Sequence, residues 1–564
     1  MSLVSFKERA SEMFGTLESY WKAATGRVSD QPSIRFIGVC CILLAAVTLL
    51  RPLFFAAIPE SVFQGPVIVW TLIERDCASI VLGAKRNSPQ VPSLLFLVLP
   101  TLVVLWSKRD VSWGRWECGK AFRNLILVMV FIMAWAGATF DYNMYLDRGH
   151  FVDRALLVLL AIWTWRTPLA LPWFTLLSVV LMRECFVPLG HDDFDYRPMF
   201  EMLIIMSISV WFSVFRWVRT KHVVFLSLCS LGSYYFAAGV AKWEYGPEHS
   251  WLLENQLSNL AMTNHSLGWL GFISEGTFIK IVQAASHMNV INAGYTLFVV
   301  ELGVIVLMFL PPRISRYYWL AAALLHVGIF AFSGIFFWKW IVTDVAIFFF
   351  LRGGGLEIHK QIWAHKLGLL FGVALLWFSL DRIYFWPQIG VAWYDSRVLE
   401  HYTLVGVDRD GEKHVIDPLT ITPFDTRFIQ GDFGYVTREK TLSRTMGTTA
   451  DYRMMTRLNN ITSDAELVEI EQKYGRSKYR ARSKQKFDQL IARYFSNTNR
   501  YGGRRHRWLA HIGRPDHIWM QAPGEFYDFK KPLKTVEVHR QRVFYDGQKI
   551  VRRPDQLLYE IAIP

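Results

Sequence analysis

Apolar runs of membrane-crossing length follow one another through the first two thirds of the chain, and no other feature limits its fold so strongly. A helix needs ~17–25 apolar residues to span the hydrocarbon of a bilayer. Residues 34–57, 124–140, 199–215, 223–243 and 294–310 meet that length, and 320–350 is long enough for two helices. The 52% hydrophobic content and 23 tryptophans are an average over two unlike parts, because beyond residue 385 the chain turns polar and basic. The expected fold class is an all-α polytopic membrane helix bundle of about nine to eleven transmembrane helices, followed by a soluble α+β domain. The expected domains are an N-terminal segment over 1–33, the bundle over 34–385 and the C-terminal domain over 388–564.

Loop charges orient the bundle. Lys108, Arg109, Arg115, Lys120 and Arg123 cluster after one apolar block. Arg216, Arg219 and Lys221 follow another, as do Arg313 with Arg316, and Arg352 with Lys360 and Lys366. Alternate loops are more acidic, notably 191–195 and 244–254. Cationic loops stay in the cytoplasm, which places the N-terminus inside and the C-terminal domain outside a bacterial inner membrane. Residues 1–33 are charged and mixed and hold no short apolar core, so the first membrane helix is expected to act as the insertion signal. The net charge of +14 comes with no nucleic-acid motif, and membrane lipids rather than nucleic acid are the expected surroundings. All six cysteines precede the polar part, which therefore lacks a disulfide framework.

Within that polar part, Asp408-Arg409-Asp410-Gly411 and Asp546-Gly547 each sit between short strand-like runs, a strong local hairpin signal. Ser463-Asp464-Ala465-Glu466 has the spacing of a capping box and predicts a helix through about Tyr474. Phe487, Leu490, Ile491, Tyr494 and Phe495 mark one face of a second helix.

Chemistry is carried by charges inside the apolar runs. Lys242 ends the run Tyr234-Tyr235-Phe236-Ala237-Ala238-Gly239-Val240-Ala241. A charge at membrane depth costs at least ~2.5–3.5 kcal/mol, so it survives with a partner or a task, and a buried lysine is a ready general base. A lysine at a helix end that snorkels to the interface is the plainer reading. Glu301, His326, Lys339 and Asp344 likewise interrupt apolar sequence. Each alone is equally the mark of a helix-packing bond, but together with Lys242 they predict one polar cavity suited to an amphiphilic ligand such as a quinone. Asp147 and His150, flanked by Asp153, stand ahead of another apolar block, where a histidine can orient or proton-couple to a neighbour. His191-Asp192-Asp193-Phe194-Asp195 lacks the loop geometry of a cation motif, and no metal is expected.

The order of these stretches resembles the horizontally transferred transmembrane (HTTM) domain family, to which vitamin K-dependent gamma-carboxylase is related. Tyr235 to Lys242 with Trp251 downstream is similar to that family's Tyr-Phe-x-Ala-Gly-x-x-Lys…Trp signature. Asp147 to His150, Glu301, and His326 ahead of Gly334 to Trp338 fall in the order of its other conserved stretches. Ala241 stands where the carboxylase has the first of two lysines. The resemblance implies that Lys242 is the base toward a reduced, vitamin K-like quinone, assisted by His150, with O2 and CO2 as co-reactants. Asp147, Trp251, Glu301, His326, Lys339 and Asp344 would then support the cavity, and a polypeptide or lipid would be the acceptor. A non-enzymatic membrane scaffold or partner-binding envelope protein, whose polar residues only hold helices together, is the alternative.

Overall fold

A computed structural model describes residues 32–54, 67–72, 93–107, 110–186, 196–380, 396–421, 428–429, 431, 433–442, 451–503, 512–519 and 526–564. The N-terminal segment expected over 1–33 (all but its last two residues) and the His191–Asp195 loop lie outside the described residues.

The first part is a helical bundle with large apolar side chains on its outer faces and a few charged groups buried inside. Leu49, Phe131, Leu159, Trp163, Leu324, Phe349 and Trp377 are exposed on its outer faces. Asp153, Glu201, Lys242, Glu301 and Asp344 are buried within it. Large apolar side chains on the outside, and a mainly apolar core that encloses a few charged groups, are compatible with a hydrocarbon surrounding. Among the described residues, four helices are long and apolar enough to cross a membrane: Pro32–Phe54, Gly119–Ala138, Thr220–Trp243 and Pro312–Ser333. Gly355–Ala364 and Lys366–Phe378, bent by 95° at their junction, form a fifth if taken as one span. Phe151–Arg166, Leu171–Phe186, Arg197–Phe212 and Trp338–Arg352 have 15 or 16 residues. At ~1.5 Å per residue they fall short of a full hydrocarbon thickness when straight.

Two expected runs are broken. The stretch 320–350 forms two helices as anticipated, because Gly334 takes a left-handed conformation (φ +72°) that caps Pro312–Ser333 before Trp338–Arg352 begins. The stretch 294–310 is irregular: Asn289–Gly294 runs into a π-helical segment, Tyr295–Glu301, and resumes as Gly303–Leu307. Thr220–Trp243 is the most enclosed long helix, with 83% of its apolar window buried. It packs against Arg197–Phe212, the π segment and Lys366–Phe378.

The C-terminal part is built on a five-stranded sheet. β1 (Val398–Asp408) pairs with β2 (Lys413–Ile416) through the Asp408–Gly411 turn, where Gly411 has φ +88°. β3 (Leu533–Tyr545) pairs with β1 from Val398↔Phe544 to Asp408↔Leu533, with an irregularity at Val407/Asp408. β4 (Ile550–Arg552) returns on β3 through the Asp546-Gly547 turn, and β5 (Gln556–Ala562) lies along the other end of β3. Every pairing is antiparallel.

The expected helices are present as Asp464–Tyr474 and Ala481–Tyr501. At the first, the Ser463 hydroxyl accepts from Glu466 N (3.3 Å), while the Glu466 carboxylate accepts from Thr462 N (2.8 Å), one residue earlier than a strict capping box. Phe487, Leu490, Ile491, Tyr494 and Phe495 are all buried.

This part is welded to the bundle. Asn497 Nδ2 donates to the Met144 carbonyl (2.9 Å), the Tyr494 ring packs tilted against that of Tyr145 (4.9 Å between centroids), and Ile518 bridges Ile335. Met455, Leu458 and Val398 share a core with Trp251 and Leu297.

Candidate functional site

Lys242 lies in the last turn of Thr220–Trp243, where a snorkelling lysine would turn outward. It turns inward instead. Its side chain is 5% exposed, and Nζ donates to Glu301 Oε1 at 2.5 Å. Glu301 is delivered by the π segment, where Leu302 N reaches back five residues to the Leu297 carbonyl (2.7 Å). The widened turn presses the Glu301 backbone against Gly239. A Cβ built on Gly239 would lie 2.9 Å from Glu301 Cβ and 3.0 Å from Leu302 N. The glycine three residues before the lysine is therefore what lets the two helices close on one ion pair.

The pair faces a cavity of about 360 Å3 between Thr220–Trp243, the π segment and Pro312–Ser333. Its walls are aromatic: Tyr234, Tyr235, Trp251, Tyr295, Phe337 and Trp340, with Leu260 and Ile329 among the aliphatic contributors. Trp251 lies with its ring 5.3 Å from Lys242 Nζ, within cation–π reach.

His326 is also on the wall, stacked on Trp340 (5.3 Å, 16°) and edge-on to Tyr235 and Phe337. Its Nδ1 is 3.2 Å from the Ala322 carbonyl. A carbonyl only accepts, so the neutral ring carries its proton on Nδ1 and leaves Nε2 as the basic nitrogen. Tyr235 donates its hydroxyl to Asp344 Oδ2 (2.6 Å), and Asp344 Oδ1 is buried without a hydrogen-bond partner among the described residues.

The four buried groups expected to share one cavity are thus only partly brought together. Glu301 and His326 line it. Asp344 stands behind the Tyr235 ring and reaches the cavity only through that hydroxyl. Lys339 is buried elsewhere, with Nζ 4.3 Å from the Tyr196 ring and 5.7 Å from that of Trp338. The reason is angular: five residues apart on a helix, Lys339 and Asp344 point ~140° away from each other.

His150 and Asp147 also lie off the cavity wall. His150 is buried beside Asp153 (Nδ1–Oδ2 3.4 Å) and edge-on to Tyr142. Asp153 accepts from Ile68 N (2.9 Å) and Val69 N (3.0 Å), and Arg154 donates to the Ala138 and Phe140 carbonyls. That cluster fixes chain turns. Asp147 is half-exposed and pairs with Arg500 (2.5 Å) and Tyr501 (2.9 Å), so its partner comes from the C-terminal part and not from Lys242. His150 as an assistant to Lys242 is not supported by this placement.

Sequence reasoning missed Tyr235, Tyr295 and Trp340 as wall residues, and it missed a second ion pair, between the half-buried Arg51 and the buried Glu201. Arg51 Nε donates to both oxygens of Glu201 (3.0 and 2.9 Å), with Nη2 at 2.5 Å from Oε1. The signal was present, since each interrupts an apolar run. Asp408, Glu412 and His414 come close enough to suggest a cation site, but Lys531 Nζ sits 2.8 Å from Glu412 and 3.5 Å from Asp408, so a lysine already neutralises the cluster. No family model, curated protein or solved structure matches the chain.

Proposed function

We propose that this is a multi-pass membrane protein, with about nine to eleven crossings when the shorter helices are included. In this reading the Lys242–Glu301 couple takes the proton of an acidic hydroxyl on an amphiphilic, ring-bearing ligand such as a reduced quinone. The observation that carries the reading is a buried amine and carboxylate 2.5 Å apart on the wall of an aromatic cavity. A cavity of about 360 Å3 falls in the range of small-molecule sites, and its flat aromatic walls suit a flat ring.

The couple supplies a route for the proton. Transfer from the ammonium to Glu301 Oε1 leaves a neutral amine, which then accepts the proton of the ligand hydroxyl and leaves a ligand oxyanion beside the re-formed ammonium. The resemblance to the gamma-carboxylase extends this to O2 and CO2 as co-reactants and to a polypeptide or lipid acceptor. In that extension the N-terminus is cytoplasmic and the C-terminal domain faces outside.

A second reading, a non-enzymatic scaffold, is favoured by the Arg51–Glu201 pair, which joins two helices away from the Lys242 cavity.

The test is turnover of a short-chain naphthoquinol by the purified protein in air, against Lys242→Met/Glu301→Gln. Loss of ~10²–10⁴-fold in the double variant is the expected result for a lost base. A wild-type protein that neither binds nor oxidises the quinol sinks the enzyme reading and leaves the scaffold.

A further inference from the structure

A small basic cavity lies apart from the Lys242 site, where two of the long apolar helices begin. It encloses about 120 Å3 and is walled by Arg115, Trp116 and Glu117 from one segment and by Arg216, Arg219 and Thr220 from another. Two bonds hold the segments together: Arg115 Nη2 donates to the Phe215 carbonyl (3.2 Å), and Thr220 Oγ1 donates to the Glu117 carbonyl (3.1 Å). The walls are therefore in place before anything binds.

Three arginines face a single carboxylate here, so the cavity is net positive. Glu117 engages Arg219 at 3.6 Å, beyond hydrogen-bond length, and Arg216 is exposed at the rim. Trp116 is 5% exposed, and its Nε1 has no hydrogen-bond partner among the described residues. A buried N–H left so costs on the order of 1–3 kcal/mol unless an acceptor arrives. The first turn of Thr220–Trp243 adds the positive end of its dipole. Phe215 stacks on Trp217 (5.2 Å) beside the cavity, an aromatic margin of the kind found at the level of lipid headgroups.

We infer that this cavity binds the phosphate of an anionic phospholipid headgroup, with Arg216 and Arg219 as the contributing cations and Trp116 Nε1 as a neutral donor. It has room for a phosphate group and not for a nucleotide. The lipid source of that phosphate rests on the membrane reading above, whereas binding of inorganic phosphate would not.

Native mass spectrometry of the detergent-solubilised full chain, supplied with phosphatidylglycerol or phosphatidylcholine, tests the proposal. Phosphatidylglycerol retention is expected to exceed that of phosphatidylcholine. Arg216→Ala/Arg219→Ala should reduce it roughly fivefold per arginine. Arg313→Ala/Arg352→Ala removes the same charge from exposed positions elsewhere and should leave retention unaltered. Should the double variant fold poorly, Arg216→Lys/Arg219→Lys keeps the charge, loses the guanidinium fork and is expected to give intermediate retention. Binding of inorganic phosphate that the Arg216/Arg219 variant loses, without selectivity between the two lipids, would keep the site and overturn its lipid source. Equal retention by wild type and variant, or an equal loss in the Arg313/Arg352 control, would overturn the site itself.

Discussion

The Lys242–Glu301 pair can be separated into its structural and chemical contributions by a double-mutant cycle. Lys242→Met keeps most of the stem volume but removes the ammonium, so Glu301 Oε1 loses its 2.5 Å donor while Oε2 already lacks a partner among the described residues. Both side chains are almost fully enclosed, at 5% and 7% exposure, so solvent screens little of the loss. Removing one member of such a pair costs ~3–5 kcal/mol. Glu301→Gln leaves an amide oxygen for Nζ but strands the charge, a loss of at least ~1–3 kcal/mol. Lys242→Met/Glu301→Gln removes both charges and is expected to lie within ~1 kcal/mol of wild type, because replacing a whole buried pair is often neutral. The cycle should therefore show a coupling of ~3 kcal/mol or more, read from unfolding by denaturing detergent in mixed micelles. Turnover must diverge from stability in the double variant, which regains its fold and stays inactive. Single variants that each cost under ~1 kcal/mol and add simply would refute the pairing. An active double variant would refute the base.

Gly239→Ala should cost at least ~1–3 kcal/mol through overpacking, since its new methyl meets Glu301 Cβ at 2.9 Å; thermal stability and ligand binding should fall together, and an unaffected variant would deny the close approach. Tyr235→Phe removes the donor to Asp344 Oδ2 and should destabilise by ~1–3 kcal/mol, whereas Tyr235→Phe/Asp344→Asn should recover part of that loss in the same melt. In β1, burial raises the Glu400 carboxyl to about 7, against the pull of Arg540 and Arg542. The folded protein then holds a proton that the unfolded chain releases near its ordinary carboxylate range, so the stability contributed by Glu400 is complete in acid and is lost as pH rises toward 7. Glu400→Gln should raise the melting temperature more at pH 8 than at pH 5, by free energy on the order of 3 kcal/mol; equal shifts at both pH values would refute it. Finally, Arg409→Cys in the exposed β1–β2 turn should react with a membrane-impermeant maleimide in intact cells, and labelling only after lysis would reverse the topology.

Local features were the legible ones. The turns at Asp408–Gly411 and Asp546-Gly547 need only a few neighbouring residues to form, and both hairpins occur where their sequence places them. The buried face of Ala481–Tyr501 was readable from spacing alone. The long β1–β3 ladder was not, because Val398 meets Phe544 across more than a hundred residues and no local pattern records that pairing. For the site, burial of Lys242, Glu301, His326, Lys339 and Asp344 follows from the cost of charge in an apolar run. Their grouping depends on which way each helix is turned. Periodicity misplaces Glu301 in particular, since the π segment shifts its phase, and Lys339 faces Tyr196 on a different side of its helix from Asp344. His150 is drawn off by Asp153, a partner three residues away that serves the Ile68 and Val69 amides as well.

The π segment has a consequence for how such a site can be gained or lost. An ordinary helix becomes π-helical over one turn when a single residue is inserted and the flanking turns keep their register. The meeting of Glu301 with Lys242 therefore hangs on a count of residues and not only on their kinds. Removing one residue between Tyr295 and Leu302 would restore regular α-helical winding and rotate the two flanking helical stretches by ~100° relative to each other. The hydrophobic composition would hardly change, yet carboxylate and amine would part. A one-codon change can thus switch the couple off without touching either charged residue, and sequences that align well by residue type across this stretch can still differ in whether the couple exists.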